Sequence, residues 1–189
     1  MPFAADLYYT EYQGNQTPSY PVILIHGAGS DHISWPRGLR RIQNQLVLAL
    51  DLPGHGKSPG VACHSIAEYS QKIHQFIAAT GWYRAILVGY SMGAAIGLQF
   101  ALDYPQNIAG LIAISGAASF NLTKDFMDLF QSQVTLPLGL YHLEEAIGIN
   151  STESTWRKDF KKNLEKTRSS VWYADLRACS SFDARSQMD

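Results

Sequence analysis

The sequence predicts an α/β fold, a mostly parallel sheet with helices on both faces, followed by a helical layer. Three observations predict it. Short, almost continuous apolar runs recur along the first part of the chain, segments of helical periodicity lie between them, and the runs stop after Gly116. An unbroken apolar run reads as a strand buried on both faces. Strands alternating with helices build a parallel sheet through right-handed crossovers.

The elements follow in order. Asp6–Gln13, "DLYYTEYQ", is rich in aromatic and β-favouring residues and reads as a first strand. Pro21–Gly27, "PVILIHG", is the first buried run, and it ends in a glycine turn. Ile33–Asn44 is predicted as a helix that starts near Pro36. Gln45–Asp51, "QLVLALD", is the next strand and runs into Leu52-Pro53-Gly54. Ser65–Thr80 is a helix: Ser65 with Glu68 makes a capping-box start, Ile66, Tyr69, Ile73, Phe76 and Ile77 form one apolar stripe, and Gly81 stops it. Arg84–Tyr90 and Asn107–Gly116 are two more strands, with a small-residue helix over Met92–Tyr104 between them that ends at Pro105. From Asn121 onward "LTKDFMDLFQ", "LPLGLYHLEEAIG", "STWRKDFKKNLEKT" and "SVWYADLRACSSF" read as helices, with Pro137 and Gly148–Thr152 separating some of them. The division is a core over residues 1–119 and a helical layer over 120–189.

Composition narrows the function classes. The 189 residues are 46% hydrophobic and 16% charged, a globular balance. The net charge of -1 gives no electrostatic case for nucleic acid or an anionic membrane surface. Cys63 and Cys179 match no metal spacing and read as idle thiols. The N-terminus lacks a basic start and an apolar h-region, and no run approaches transmembrane length, so the default location is cytoplasmic. Oligomeric state is open.

Three glycine-rich turns follow the strand runs. Gly89-Tyr90-Ser91-Met92-Gly93 reads G-x-S-x-G between an apolar strand and a small-residue helix, the context of a nucleophile elbow. Such a turn lifts Ser91 to the carboxyl end of the sheet, where open α/β sheets place their sites. The alternative is an ordinary strand-to-helix turn. His26-Gly27-Ala28-Gly29 ends the first buried run. An N–H from this loop and that of Met92 form a candidate oxyanion hole, and a merely connecting glycine turn is the alternative. A dinucleotide fingerprint fails here, because His32 stands where the third glycine belongs. Asp51–Ser58, "DLPGHGKS", imitates the tail of a phosphate loop but has Asp51 in place of the required glycine, so a rigid turn is predicted.

As a set, "ILIHGAGSDHISW", "LALDLPGHGKS" and "LVGYSMGAA" resemble the α/β-hydrolase family. The resemblance covers roughly Asp6 to Gly116, and the helical tail resembles that family's cap, or lid. It implies Ser91 as nucleophile, the N–H groups of Ala28 and Met92 as oxyanion hole, and Gly89, Tyr90 and Gly93 as the elbow. His26, Gly27, Gly29 and His32 are candidate pocket residues. His26 and His55 match structural positions rather than a base. No metal and no cofactor is implied, and the expected partner is a small-molecule acyl substrate.

The family's order is Ser, then Asp or Glu, then His. Only His142 follows Ser91, with Asp103, Asp125 and Asp128 between them, and it sits in an apolar helical stretch that suits a lid or surface role. Ile114–Ser119, "ISGAAS", holds no acid. The resemblance therefore implies an incomplete α/β-hydrolase, the N-terminal part of a longer enzyme whose return to the sheet, acid and base lie beyond Asp189. The strand over Ile108–Ser115 would then be an uncovered sheet edge, and the chain alone is expected to be inactive or poorly soluble. The function expected of the intact protein is hydrolysis of a carboxylic ester or similar acyl bond. The alternatives are another reaction on the same framework (C–C cleavage, acyl transfer or a lyase step) or a non-catalytic, hydrolase-like binding protein. "GYSMG" also resembles the family's menaquinone-pathway lyases, but Ala94 and Ala95 stand where those carry an arginine. The lid aromatics Phe126, Phe130, Tyr141, Trp156 and Trp172 either shape an acyl pocket or pack the lid.

Overall fold

The computed structural model describes residues 2–15, 18–147 and 155–188; the predicted separator at 148–152 lies outside the described residues. The strands are β1 (Phe3–Ala4), β2 (Leu7–Gln13), β3 (Val22–Ile25), β4 (Leu46–Leu50), β5 (Ala85–Tyr90) and β6 (Ile108–Ile114). They form one six-stranded sheet in the order β1-β2-β4-β3-β5-β6. β1 and β2 are antiparallel to their neighbours, and β4, β3, β5 and β6 run parallel. From β3 the chain goes to β4 on one side and later to β5 on the other. The carboxyl ends of β3 and β5 therefore flank the crevice where such sheets reverse their strand order.

Side-chain alternation explains why the central runs are continuously apolar. Ile23, Ile25, Leu48, Leu50, Ala85 and Leu87 join the core that also holds Tyr69, Ile73 and Phe76. Val22, Leu24, Val47, Ala49 and Val88 face the other way, onto Trp35. Both faces are buried, so neither can be polar. β6 ends the sheet; Ile112 and Ile114, paired with Val88 and Tyr90, are exposed.

The helix predicted over 33–44 does not form. Two single 3-10 turns, His32–Ser34 and Leu39–Arg41, stand there, with extended backbone at Trp35 between them. Pro36 and Gly38 deny a helix its interior, and burial of Trp35 against Tyr90, ring centroids 5.0 Å apart, fixes the extended link.

Helix α1 (Ile66–Ala79) buries the predicted stripe, and the Ser65 side chain accepts from the Glu68 N–H at 3.2 Å. The Glu68 carboxylate reaches back to the N–H of His64, one residue before the cap, at 2.8 Å. Ser65→Ala is expected to cost about 1 kcal/mol, read as a lower urea midpoint with unchanged slope. Helix α2 (Met92–Asp103) begins directly on the elbow, and its small residues lie against the sheet.

The last part forms α3 (Lys124–Asp128), α4 (Leu136–Ala146), α5 (Thr155–Leu164) and α6 (Ser169–Ser180). Pro137 opens the first turn of α4 instead of separating helices, since a missing N–H costs nothing there. Phe130, Leu136, Leu140, Phe160, Leu164, Trp172 and Leu176 make a second apolar cluster inside this layer. Its end is seated in the main core: Ala178, Cys179, Phe182 and Ala184 join the first cluster, and the Ala184 N–H donates to Ala118 O at 2.8 Å. Among the described residues no helix is long and apolar enough to cross a membrane.

Candidate active site

Ser91 lies between the end of β5 and the start of α2 with φ 52° and ψ −120°, a backbone region that non-glycine residues rarely occupy. Such conformations cost roughly 1–3 kcal/mol and persist where the surroundings impose them. Here the Ser91 N–H donates to Ile114 O at 3.0 Å, tying the turn to the end of β6. The hydroxyl makes no cap bond to α2 and has no hydrogen-bond partner among the described residues.

The loop after β3 passes close by. A Cβ built on Gly27 would lie 2.7 Å from the Tyr90 ring and 3.3 Å from Ser91 Cβ, so only glycine admits this approach. Met92 is the first residue of α2, where an amide has no intrahelical acceptor. The Ala28 N–H likewise has no partner among the described residues. Tyr90 is anchored from below: its hydroxyl meets Ser30 Oγ at 2.8 Å and Ser34 Oγ at 2.9 Å, and burial raises its pKa.

Gly27, Ala28, Tyr90 and Ser91 line a cavity of about 570 Å³. Trp35, Phe120, Phe126, Phe160, Trp172 and Leu176 supply much of its apolar wall. Of the aromatics predicted for a lid, Phe126 and Trp172 reach it; Phe130 packs wholly inside the helical layer, Tyr141 is half exposed, and the Trp156 side chain lies outside the described residues.

His26, Gly29 and His32, predicted beside the pocket, are not among its lining residues. His26 turns into the core, where Nδ1 donates to Gly27 O at 2.8 Å and Nε2 accepts from Leu52 N–H at 3.0 Å. Those two bonds demand the neutral ring, and burial together with the nearby His55 charge lowers its pKa to about 4. His32 is turned away because its Nδ1 pairs with Asp51 at 2.7 Å. Gly29 is covered by Trp172.

His55 donates from both ring nitrogens, to Pro53 O at 2.9 Å and to Asp175 Oδ2 at 2.8 Å. Two acceptors require the imidazolium; desolvation, the largest single effect, lowers its pKa, but the charge and hydrogen bond of Asp175, the Pro53 carbonyl and the Asp51 charge together raise it. Asp175 also accepts from Tyr69 Oη at 2.5 Å and from the Gly29 N–H at 2.8 Å. Of the remaining histidines, His64 is exposed beside the α1 cap, His74 stacks on Tyr104 at 4.0 Å, and His142 is exposed against Tyr141. None of the six histidines hydrogen-bonds Ser91 among the described residues.

Asp31, His32 and Asp51 bring candidate metal-ligand atoms within 4.8 Å of one another. Asp51 already accepts from His32 N–H, His32 Nδ1 and Lys57 N–H, each within 2.8 Å, and Asp31 caps the Ile33 amide. This is a brace between two loops, and its donors fit hydrogen bonding rather than metal ligation. The turn at Asp51–Ser58 is braced further where Ser58 Oγ donates to Asp51 O at 2.6 Å and accepts from Tyr8 N–H at 2.8 Å. Cys63 and Cys179 are buried free thiols, and burial pushes Cys63 up to about 12.

A strained serine above an open, mostly parallel sheet, with a helical layer walling a cavity over it, defines an α/β protein with its candidate site at the strand carboxyl ends. The chain belongs to the alpha/beta hydrolase fold family, which its residues 20–140 match. A putative carbamate hydrolase, RutD, of Escherichia coli O1:K1 is 34% identical over 103 residues, which are 53% of this chain and 39% of that protein. The match thus spans about two fifths of that relative's length. A lipase-esterase related protein from Clostridium acetobutylicum superposes with a TM-score of 0.74 at 26% identity, covering 96% of this chain and 74% of its own. A hydrolase from Pseudomonas aeruginosa PA01 gives 0.79 at 20% identity, over 96% and 71% respectively, a likeness of fold.

Proposed function

We propose that this chain carries the nucleophile, oxyanion donors and acyl pocket of a serine hydrolase acting on a carboxylic ester or similar acyl bond. The observation that carries the reading is Ser91 at φ 52° with a free hydroxyl in an apolar cavity. In the proposed reaction, Ser91 Oγ attacks the acyl carbon and the new oxyanion accepts from the Ala28 and Met92 amides. The bond to the leaving alkoxide breaks, and the serine proton ends on that alkoxide. Water then adds to the acyl-enzyme and releases the acid. The base that relays these protons is not a histidine of this chain. The carbamate hydrolase name of the E. coli relative keeps carbamates within the substrate class. The apolar wall favours a hydrophobic acyl group.

The test is covalent trapping. A fluorophosphonate is expected to form a Ser91–phosphorus bond with loss of fluoride, slowly because no histidine of this chain activates the hydroxyl, seen as a mass increase on the Ser91 peptide, and Ser91→Ala is expected to abolish it. Binding of octanoate without any labelling would favour the second reading, a hydrolase-like binding protein, which the lack of a histidine at Ser91 supports.

A further inference from the structure

We infer that Asp175 and Thr167, both in the lid, are positioning residues for this reaction: they grip Gly29 from two sides and so hold the oxyanion loop in register with Ser91. The inference rests on the serine-hydrolase reading above.

The grip is built from three contacts on one residue. The Gly29 N–H donates to Asp175 Oδ2 at 2.8 Å, and Gly29 O accepts from Thr167 Oγ1 at 2.7 Å. The Trp172 ring lies so close to Gly29 that any Cβ there would overlap it, and φ at Gly29 is +63°. Both peptide units that flank Gly29 are therefore held by the lid, and one of them belongs to Ala28. On its other side Ala28 follows Gly27, which is pressed against Tyr90 and Ser91. The direction of the Ala28 amide is fixed from both ends.

Asp175 is itself held by the core. It is fully buried, and its remaining partners are His55 on the turn after β4 and Tyr69 on α1. A buried ion pair is weak evidence for stability, since apolar residues of like volume often do as well. What an apolar residue at 175 could not do is accept from Gly29. Helix α6 is thus a fixed wall of the site, joined to the oxyanion loop through a chain of bonds that reaches the sheet.

Misplacing a donor by about 1 Å costs up to about a hundredfold in rate without a matching loss of binding. The test compares two readouts on folded protein: the second-order labelling rate of Ser91 by an octyl fluorophosphonate, and octanoate affinity from quenching of tryptophan fluorescence. Thr167→Val is expected to slow labelling about tenfold, with octanoate affinity within about twofold, and Thr167→Ser to restore the rate. Asp175→Asn is expected to slow labelling further. Thr167→Val leaves the buried pair intact, so it decides the matter even where Asp175→Asn does not fold. Native labelling rates in Thr167→Val would overturn the inference, and so would rate and affinity falling together. A native chain that is not labelled at all would instead remove the nucleophile reading, and this inference with it.

Discussion

Gly93→Ala is expected to abolish folding, or to cost more than about 4 kcal/mol where folded protein can be recovered. A Cβ at Gly93 would overlap Ile25 O and lie 2.6 Å from His26 O. These are backbone carbonyls at the end of β3, a strand bonded on one side to β4 and on the other to β5. They cannot retreat without opening the centre of the sheet. Gly97→Ala, one turn along the same helix, is the control. There the new Cβ would meet Leu111 Cδ1 at 2.6 Å, the free end of a side chain that can rotate. That overpacking costs about 1–3 kcal/mol, and the gain in helix propensity of about 1 kcal/mol offsets part of it. Urea unfolding of both variants checks the contrast. Equal losses would mean that β3 yields and that close approach does not fix the elbow.

The strands and the sharp turn at Ser91 were legible because much of what constrains them is local. β3, β4 and β5 are buried on both faces, so the requirement is written into consecutive residues, and Gly89 answers to the backbone of Gly93 and Ala94 just beyond Ser91, whereas Gly93 answers to Ile25 and His26 on a distant strand and was legible only as part of the G-x-S-x-G pattern. The segment 33–44 was misread because Trp35 and Ile42 answer to the sheet and to Tyr90 rather than to each other, while Ile33 and Leu39 are exposed. The Asp175–His55 link joins residues 120 apart and leaves no local pattern. One signal was present. Asp175 falls on the buried stripe Val171, Trp172, Leu176, Cys179 of α6, where a carboxylate demands a partner. The same reading would have moved His26 and His32 from the pocket into the scaffold, where His55 already stood. What sequence could not supply was which buried cation meets which buried anion.

The two core histidines make stability depend on pH in opposite senses, and the expected result is a maximum near pH 6.5, the ordinary histidine value. His26 is held neutral, with a folded pKa of about 4 set by burial and then by the His55 charge. A depressed value means the unfolded chain binds the extra proton. The contribution is full above pH 6.5 and is lost as pH falls toward 4, by about 3 kcal/mol. His55 has the reverse sign: its pKa is raised against desolvation by Asp175, so the folded state binds the extra proton. That contribution is full below pH 6.5 and is lost as pH rises through the folded value. Carboxylates held low, such as Asp51 with His32 and Lys57 beside it, act only at still lower pH. Urea midpoints from pH 4 to 9 are expected to trace this dome. His26→Gln is expected to flatten the acid limb above pH 4, and His55→Gln to remove the alkaline limb while lowering stability throughout, because Asp175 is left buried without its cation. A stability that climbs steadily to pH 9 in the native chain would mean that the His55–Asp175 contact is not an ion pair, and the brace on α6 would then rest on neutral hydrogen bonds alone.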